Sequence, residues 1–338
     1  MCVRLVQMNG VDLKTFQFDY DQTWCVFFLN TDGTIYGRYG TRADRGNQSM
    51  THISIASLKK SMERALKLHA DYPVNKAQLV GKLGREPAYR YAQKIPGLQD
   101  KPERATPEKH NSCIHCHMVQ ANARRSKWQE GRLEYEDIWI WPLPENIGLK
   151  MDVDDGLLVK SVATRSPAAQ AGIRTGDELV ALNGQRLLSQ ADIQWVLHNA
   201  PVETQLVVSL IRAGETVEQT IMLRGDWKES DLSWRASSGI GLRHGFQTEP
   251  LSNKQKQERG IAADALALRV RNFFLNAGRL RESGVLVGDV IVEVDGKSDF
   301  ANESQFLAYL RLNHPPGDRL KLTLLRGQDR HDVEVTAW

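Results

Sequence analysis

The chain is 338 residues long, 41% hydrophobic and 25% charged. At ~100 to 200 residues per domain, that length excludes a single small module and allows two or three separate cores. Forty-four Lys and Arg against 41 Asp and Glu leave a formal charge of +3, too balanced for a surface built to hold nucleic-acid phosphates, and no apolar run reaches the ~18 residues that span a bilayer.

Residues 3–7 read as a strand, 13–18 as a short helix and 24–29 as a buried strand. Asn30-Thr31-Asp32-Gly33 forms a hairpin turn and 34–39 its partner strand. From 57 to 68, apolar residues at 58, 62, 65, 66 and 68 have helical spacing. This order over residues 1–72 resembles the C-terminal portion of a thioredoxin fold. The departures are a missing Cys-x-x-Cys, a missing proline before Trp24, and a missing first strand and helix. The expectation is an incomplete unit, either degenerate or cut from a longer chain. Met1 stands against the first strand with no basic segment or cleavage site, so no export signal is visible.

Residues 73–144 interleave lysine and arginine with Pro73, Pro87, Pro96, Pro102 and Pro107, a pattern of short helices and turns. Trp128, Tyr135, Trp139 and Trp141 either wall a cofactor or dock two domains together. Within this stretch lies Cys113-Ile114-His115-Cys116-His117. Cys-x-x-Cys-His is the attachment signature of c-type haem: two thiols add to the macrocycle and the next histidine binds iron. From composition alone the string would arise about 0.001 times in such a chain. Cys113 and Cys116 are then the attachment thiols and His117 the proximal ligand, with His69, His110 or Met151 as candidates for the sixth position. Three other readings remain open: a zinc site completed by His110 and His115, a dithiol redox pair beside Lys109, or two inert thiols. Haem c implies assembly in the periplasm.

The last 190 residues contain a repeat. Gly176 and Gly288 are 112 residues apart, as are Gly184 and Gly296. Gly176 to Gly184 and Gly288 to Gly296 each read as a turn, a strand and a turn; each copy continues with an amphipathic helix, 190–198 or 303–312, and a β pair. Residues 145–228 and 238–338 resemble PDZ domains of the bacterial, periplasmic-protease-associated type, most specifically through Ser166-Pro-Ala-Ala-Gln-Ala-Gly-Ile-Arg-Thr-Gly-Asp-Glu-Leu-Val-Ala-Leu-Asn-Gly. The resemblance implies a carboxylate-binding loop at Ile147, Gly148, Leu149 and Lys150 in the first copy and at Ile240, Gly241 and Leu242 in the second. Gly148 and Gly241 are only 93 residues apart, which gives the second copy 19 extra residues, assigned to the polar stretch 251–260. Such a module binds by strand addition: a peptide lends its backbone to a sheet edge and loop N–H groups take its terminal carboxylate. Its other use is packing or spacing alone.

The expected fold is therefore α+β and multidomain: a partial thioredoxin-like α/β unit, a mostly helical or irregular haem-binding segment, and two PDZ-like β-sandwich or barrel domains. The expected function is a c-type haem protein for electron transfer or for redox or ligand sensing. It would dock partner proteins through its PDZ-like domains and serve a redox partner that the sequence does not identify. The alternative is a scaffold or protease adaptor that binds peptide C-termini, with the cysteine segment holding zinc or acting as a dithiol. No nucleophile elbow, phosphate-binding loop, zincin motif or dinucleotide fingerprint occurs, and no catalytic residue is assigned.

Overall fold

The computed structural model describes residues 1–42, 51–99, 113–241, 245–273 and 278–337. It divides into two compact units, Met1–Gln120 with Trp139–Ser230, and Ala121–Ile138 with Asp231–Trp338.

In the first unit, the strand expected at 3–7 and the helix expected at 13–18 do not form. Residues 1–6 are exposed, so no neighbouring strand takes up their backbone groups. Farther on, the chain is held by single bonds, Met8 N to Ile114 O at 2.9 Å and Leu13 N to Arg90 O at 2.9 Å. Asp12 Oδ1 accepts the Lys14 N–H at 2.9 Å, a local turn that competes with helix. The hairpin does form, from β1 (Val26–Leu29) and β2 (Ile35–Tyr39). Helix α1 (Ile55–Ala70) starts at a capping box of Ser54 and Ser57 and buries Ser57, Ser61, Ala65 and Leu68. Hairpin and α1 are the parts of the expected thioredoxin-like unit that appear, and their sheet has two strands only. Short pieces follow, as the prolines predict: α2 (Lys76–Leu79) and α3 (Pro96–Gln99), then α4 (Cys116–Gln129) and α5 (Tyr135–Ile138).

The first repeat contributes β3 (Leu149–Met151), β4 (Val159–Val162), α6 (Pro167–Gln170), β5 (Glu178–Leu182), β6 (Gln185–Arg186), α7 (Gln190–Asn199), β7 (Thr204–Arg212) and β8 (Glu215–Leu223). β3 pairs with β4, and a second sheet runs β6-β5-β7-β8. Leu149, Met151, Val159, Ile193, Leu197, Leu206, Val208 and Ile221 share its core.

The second unit holds α8 (Ala236–Gly241), β9 (Phe246–Pro250), α9 (Asn253–Gln257), β10 (Leu268–Phe273), α10 (Gly278–Glu282), β11 (Val290–Val294), α11 (Glu303–Asn313), β12 (Arg319–Arg326) and β13 (Asp329–Thr336). Here β10 also pairs with β11, so all five strands join in the order β13-β12-β11-β10-β9. In both repeats one arginine pins the glycine-aspartate turn with two hydrogen bonds. Arg212 reaches both carboxylate oxygens of Asp177 at 2.8 and 2.7 Å, and Arg326 those of Asp289 at 2.9 and 2.9 Å.

Candidate functional sites

Gly148 ends a short turn of 3-10 helix (Pro144–Ile147) and β3 begins at the next residue. Its φ is +89°, and a Cβ there would lie 2.1 Å from Ser166 Cβ and Oγ, so backbone and space both demand glycine. Gly148 O accepts from Ala163 N at 2.8 Å. Asn146 steadies the loop by donating to Trp227 O and Glu229 O at 2.9 and 2.7 Å. Ile147 and Leu149 are buried and Lys150 is exposed.

Hydrogen bonds give the matching position in the second repeat. Val159 N donates to Asp177 O and Val159 O accepts from Gly176 N, just as Val270 does with Asp289 and Gly288. Leu149 faces Val162 and Phe246 faces Phe273, each three residues past that valine. Leu149 therefore corresponds to Phe246, and Gly148 to Gly245, whose φ is +81°. Of the loop expected at Ile240, Gly241 and Leu242, Ile240 and Gly241 lie on α8, ahead of Gly245, and Leu242 lies outside the described residues. From loop glycine to turn glycine is 28 residues in the first copy and 43 in the second. The extra length sits between β9 and β10, in the polar stretch where the sequence placed it.

β9 pairs with β10 alone and is an edge of its sheet, and β3 likewise pairs with β4 alone among the described residues. The companion helices differ. On α7, every residue from Gln190 to Leu197 is buried. Part of the cover is the N-terminal hairpin and the turn at Val80–Lys82: Arg38 N donates to Asp192 Oδ1 at 3.1 Å, Lys82 Nζ meets Asp192 Oδ2 at 2.9 Å, and Trp195 Nε1 donates to Gly81 O at 2.9 Å. The Arg38 guanidinium lies 3.8 Å from the Trp195 ring centre. Lys82 and Asp192 side chains are 1% and 2% exposed; burial pushes the Lys82 ammonium below its usual range, with Asp192 opposing. The rest of the cover is Trp141, stacked on His198 with ring centres 4.4 Å apart. Trp141 has φ +52°, a strained setting for a bulky residue that costs about 1–2 kcal/mol and is offset by indole burial.

On α11, Glu303, Gln305, Tyr309 and Leu312 stay half-exposed. Thr248 of β9 donates to Glu303 Oε1 across the strand and helix. Ser304 Oγ accepts from Leu232 N at 2.8 Å, Trp128 Nε1 donates to His314 O at 3.0 Å, and the Arg311 guanidinium lies 4.2 Å from the Trp128 ring centre. Burial lowers the Arg311 pKa to about 9, with Arg125 adding to the effect. The connector tryptophans thus pack onto the repeats.

The cysteine segment is fastened by Met8 at the carbonyl of Ile114, a residue with no exposed surface. Cys116 opens α4, and Cys113 and Cys116 are half-buried thiols outside any disulfide. Burial raises the Cys116 pKa. His117 lies parallel to His115 with ring centres 5.9 Å apart. Its Nδ1 is buried without a hydrogen-bond partner among the described residues. Burial lowers the His117 pKa, with Asp21 opposing and His115 adding to the effect. Neighbouring Cys25 is pushed up to about 12 by burial. Of the sixth-position candidates, His69 exchanges a 2.8 Å hydrogen bond with Tyr36 Oη, Met151 is packed in the first repeat's core, and His110 lies outside the described residues. Among the described residues, no three or more His, Cys, Asp or Glu side chains converge as a metal site. Nor is any helix there long and apolar enough to cross a membrane.

Known proteins match the repeats. The family model for the PDZ domain matches residues 146–223 and 274–337. Periplasmic serine endoprotease DegP of Escherichia coli is 32% identical over 110 residues, 32% of this chain and 22% of that protein. The protein of the same name from Salmonella typhimurium is 28% identical over 144 residues, 43% of this chain and 27% of its own length. The chain thus spans less than a third of either relative. The solved HtrA3 PDZ domain bound to a phage-derived ligand is 26% identical with a TM-score of 0.20, covering 22% of this chain and 81% of that one. The family match thus identifies PDZ domains at residues 146–223 and 274–337, and the partial relatives that share sequence with the chain are DegP proteases.

Proposed function

We propose that the chain is a peptide-docking scaffold of the protease-associated kind, working in the periplasm, where the DegP relatives are placed by name. One observation carries this: a left-handed glycine, Gly148 or Gly245, stands directly ahead of a strand with a single neighbour. Strand addition needs that open edge, and backbone N–H groups at such a turn can take a terminal carboxylate. The test is titration of the full chain with fluorescein-labelled pentapeptides whose apolar C-terminus is free or amidated. Free peptides should bind at least tenfold more tightly, and Gly245→Asp should abolish that preference. Equal binding of free and amidated peptides would overturn the reading.

A second reading concerns Cys113, Cys116 and His117, whose donor set suits covalent c-type haem. The attachment string Cys113-Ile114-His115-Cys116-His117 favours it. Zinc needs four convergent donors; haem c needs two thioether links and one imidazole. Bound there, the group would supply one-electron chemistry or an iron site for a small ligand. Cys113 and Cys116 would carry the links and His117 the proximal bond. His69 shares a hydrogen bond with Tyr36 through Nδ1, and Met151 is packed in the first repeat's core. Expression with the haem-attachment machinery should give covalent colour on a denaturing gel, lost on Cys113→Ala with Cys116→Ala. Colourless wild type carrying zinc would reverse this reading.

A further inference from the structure

We propose that helix α1 is a self-association surface: two copies of the chain pair through an outward apolar row, Ile55, Leu58, Met62 and Leu66, in an antiparallel, two-fold arrangement. The inference is independent of the peptide-docking reading above.

The helix is amphipathic the wrong way round. Its buried side is mostly small and polar: Ser57, Ser61 and Ala65, one turn apart, with Leu68 near the end. Ser61 Oγ lies 2.8 Å from Ser57 O and 3.1 Å from Leu188 O, and Ser57 Oγ shares a 2.8 Å hydrogen bond with Tyr39 Oη. Close approach, not bulk, holds this side. The large apolar residues point the other way. Ile55, Met62 and Leu66 are 87%, 50% and 67% exposed, and Leu58 is half-exposed. Steps of three, four and four residues set them in one row, about 16 Å long at about 1.5 Å per residue. Single exposed apolar side chains are ordinary, whereas a contiguous row marks a surface that another molecule covers.

Charge names the occupant. Lys59 and Glu63 stand on one flank of the row, both exposed and without an ion pair among the described residues. Lys60 and Arg64, farther round the helix, are already spent on Asp155. Two such helices, antiparallel about a two-fold axis level with Ser61, set Lys59 opposite Glu63 of the partner subunit and Glu63 opposite Lys59 of the partner subunit. One symmetry operation answers both charges twice. In the same register the apolar side chains of one copy fall between those of the other. A lipid surface is the poorer fit, because Glu63 interrupts the basic flank between Lys59 and Lys67.

The experiment is sedimentation velocity of the full chain over a range of concentrations. Wild type should form a species of twice the 38.2 kDa chain mass, and Leu66→Glu should raise its dissociation constant at least tenfold by placing a charge in the apolar row. Leu66→Gln should raise it less and serves if the first variant fails to fold. Lys59→Glu and Glu63→Lys should each weaken self-pairing about fivefold, and mixing these two variants should restore a dimer. A wild type monomeric throughout, a dimer indifferent to these changes, or a mixture no better than its components would overturn the proposal. A monomer that floats with phosphatidylglycerol vesicles would assign the row to lipid and overturn it equally.

Discussion

Asp192 and Gln305 stand at the third position of α7 and α11, and both accept a backbone N–H from just ahead of the helix. Leu188 N reaches Asp192 Oδ2 at 2.9 Å and Ala301 N reaches Gln305 Oε1 at 2.7 Å. The likeness stops there. Asp192 also takes Arg38 N and Lys82 Nζ and is buried, whereas Gln305 stays half-exposed. One carboxylate has converted the outer face of the first PDZ domain's helix into an internal joint. The second domain keeps part of the same face half-open. A repeated domain can therefore be packed into its unit along this helix in one copy and stay half-exposed there in the other, with the distinction carried by a few side chains on one helix.

The sharpest way to break this comparison is to truncate both residues. Asp192→Ala strands the buried Lys82 ammonium and should lower unfolding stability by about 3–5 kcal/mol. Gln305→Ala loses one half-exposed hydrogen bond, about 1 kcal/mol. Urea denaturation would measure both, and equal losses would mean that the joint is not special.

Gly37 of β2 gives a smaller effect at the same place. A Cβ there would lie 2.6 Å from Asp192 Oδ2 and 2.9 Å from Leu188 Cδ2, so Gly37→Ala should cost about 1–3 kcal/mol by overpacking. A neutral result by the same denaturation would show that the hairpin sits more loosely.

The smallest expected effect is a pH dependence. Burial disfavours the Asp155 carboxylate, but hydrogen bonds from Lys60 and Arg64 of α1 outweigh it and hold its pKa below the usual range. A depressed folded-state pKa contributes stability above the unfolded value of about 4 and loses it as pH falls further. Asp155→Asn should remove about 1 kcal/mol at pH 7 and progressively less as pH falls below about 4. A difference constant over that range, followed by circular dichroism, would count against the link.

Much of this was legible in the sequence where local chemistry decides the structure. Gly172, the Gly176-Asp177 turn and its counterpart at Gly288-Asp289 announce themselves, because left-handed backbone and side-chain-capped turns select those residues. The spacing of Leu58, Met62, Ala65 and Leu68 likewise gave α1. Residues 3–7 misled because β-type composition forms a strand only beside another strand. Ile240-Gly241-Leu242 matches Ile147-Gly148-Leu149 in letters, whereas the residue that matches Gly148 by strand register and positive φ is Gly245, which no spacing reveals. Asp192, Lys82 and Arg38 were missed altogether; isolated charges in sequence carry no sign that they will be buried together. The cysteine segment was legible as Cys-x-x-Cys-His, but not that Ile114 would be fully buried and fastened by Met8.

The long excursion between β9 and β10 is self-supporting. Ser252 and Gln255 cap α9 reciprocally, and Lys256 Nζ ties the carbonyls of Ala263 and Ala265 at 2.7 and 2.8 Å. Its ends are closed by Leu251 N donating to Ala267 O at 2.9 Å. Since lengthening a surface loop carries only a shallow entropic penalty, this lobe is a natural graft point. An epitope or fluorophore inserted there would report on the second domain's edge strand from a short way along the chain while sparing the five-stranded sheet.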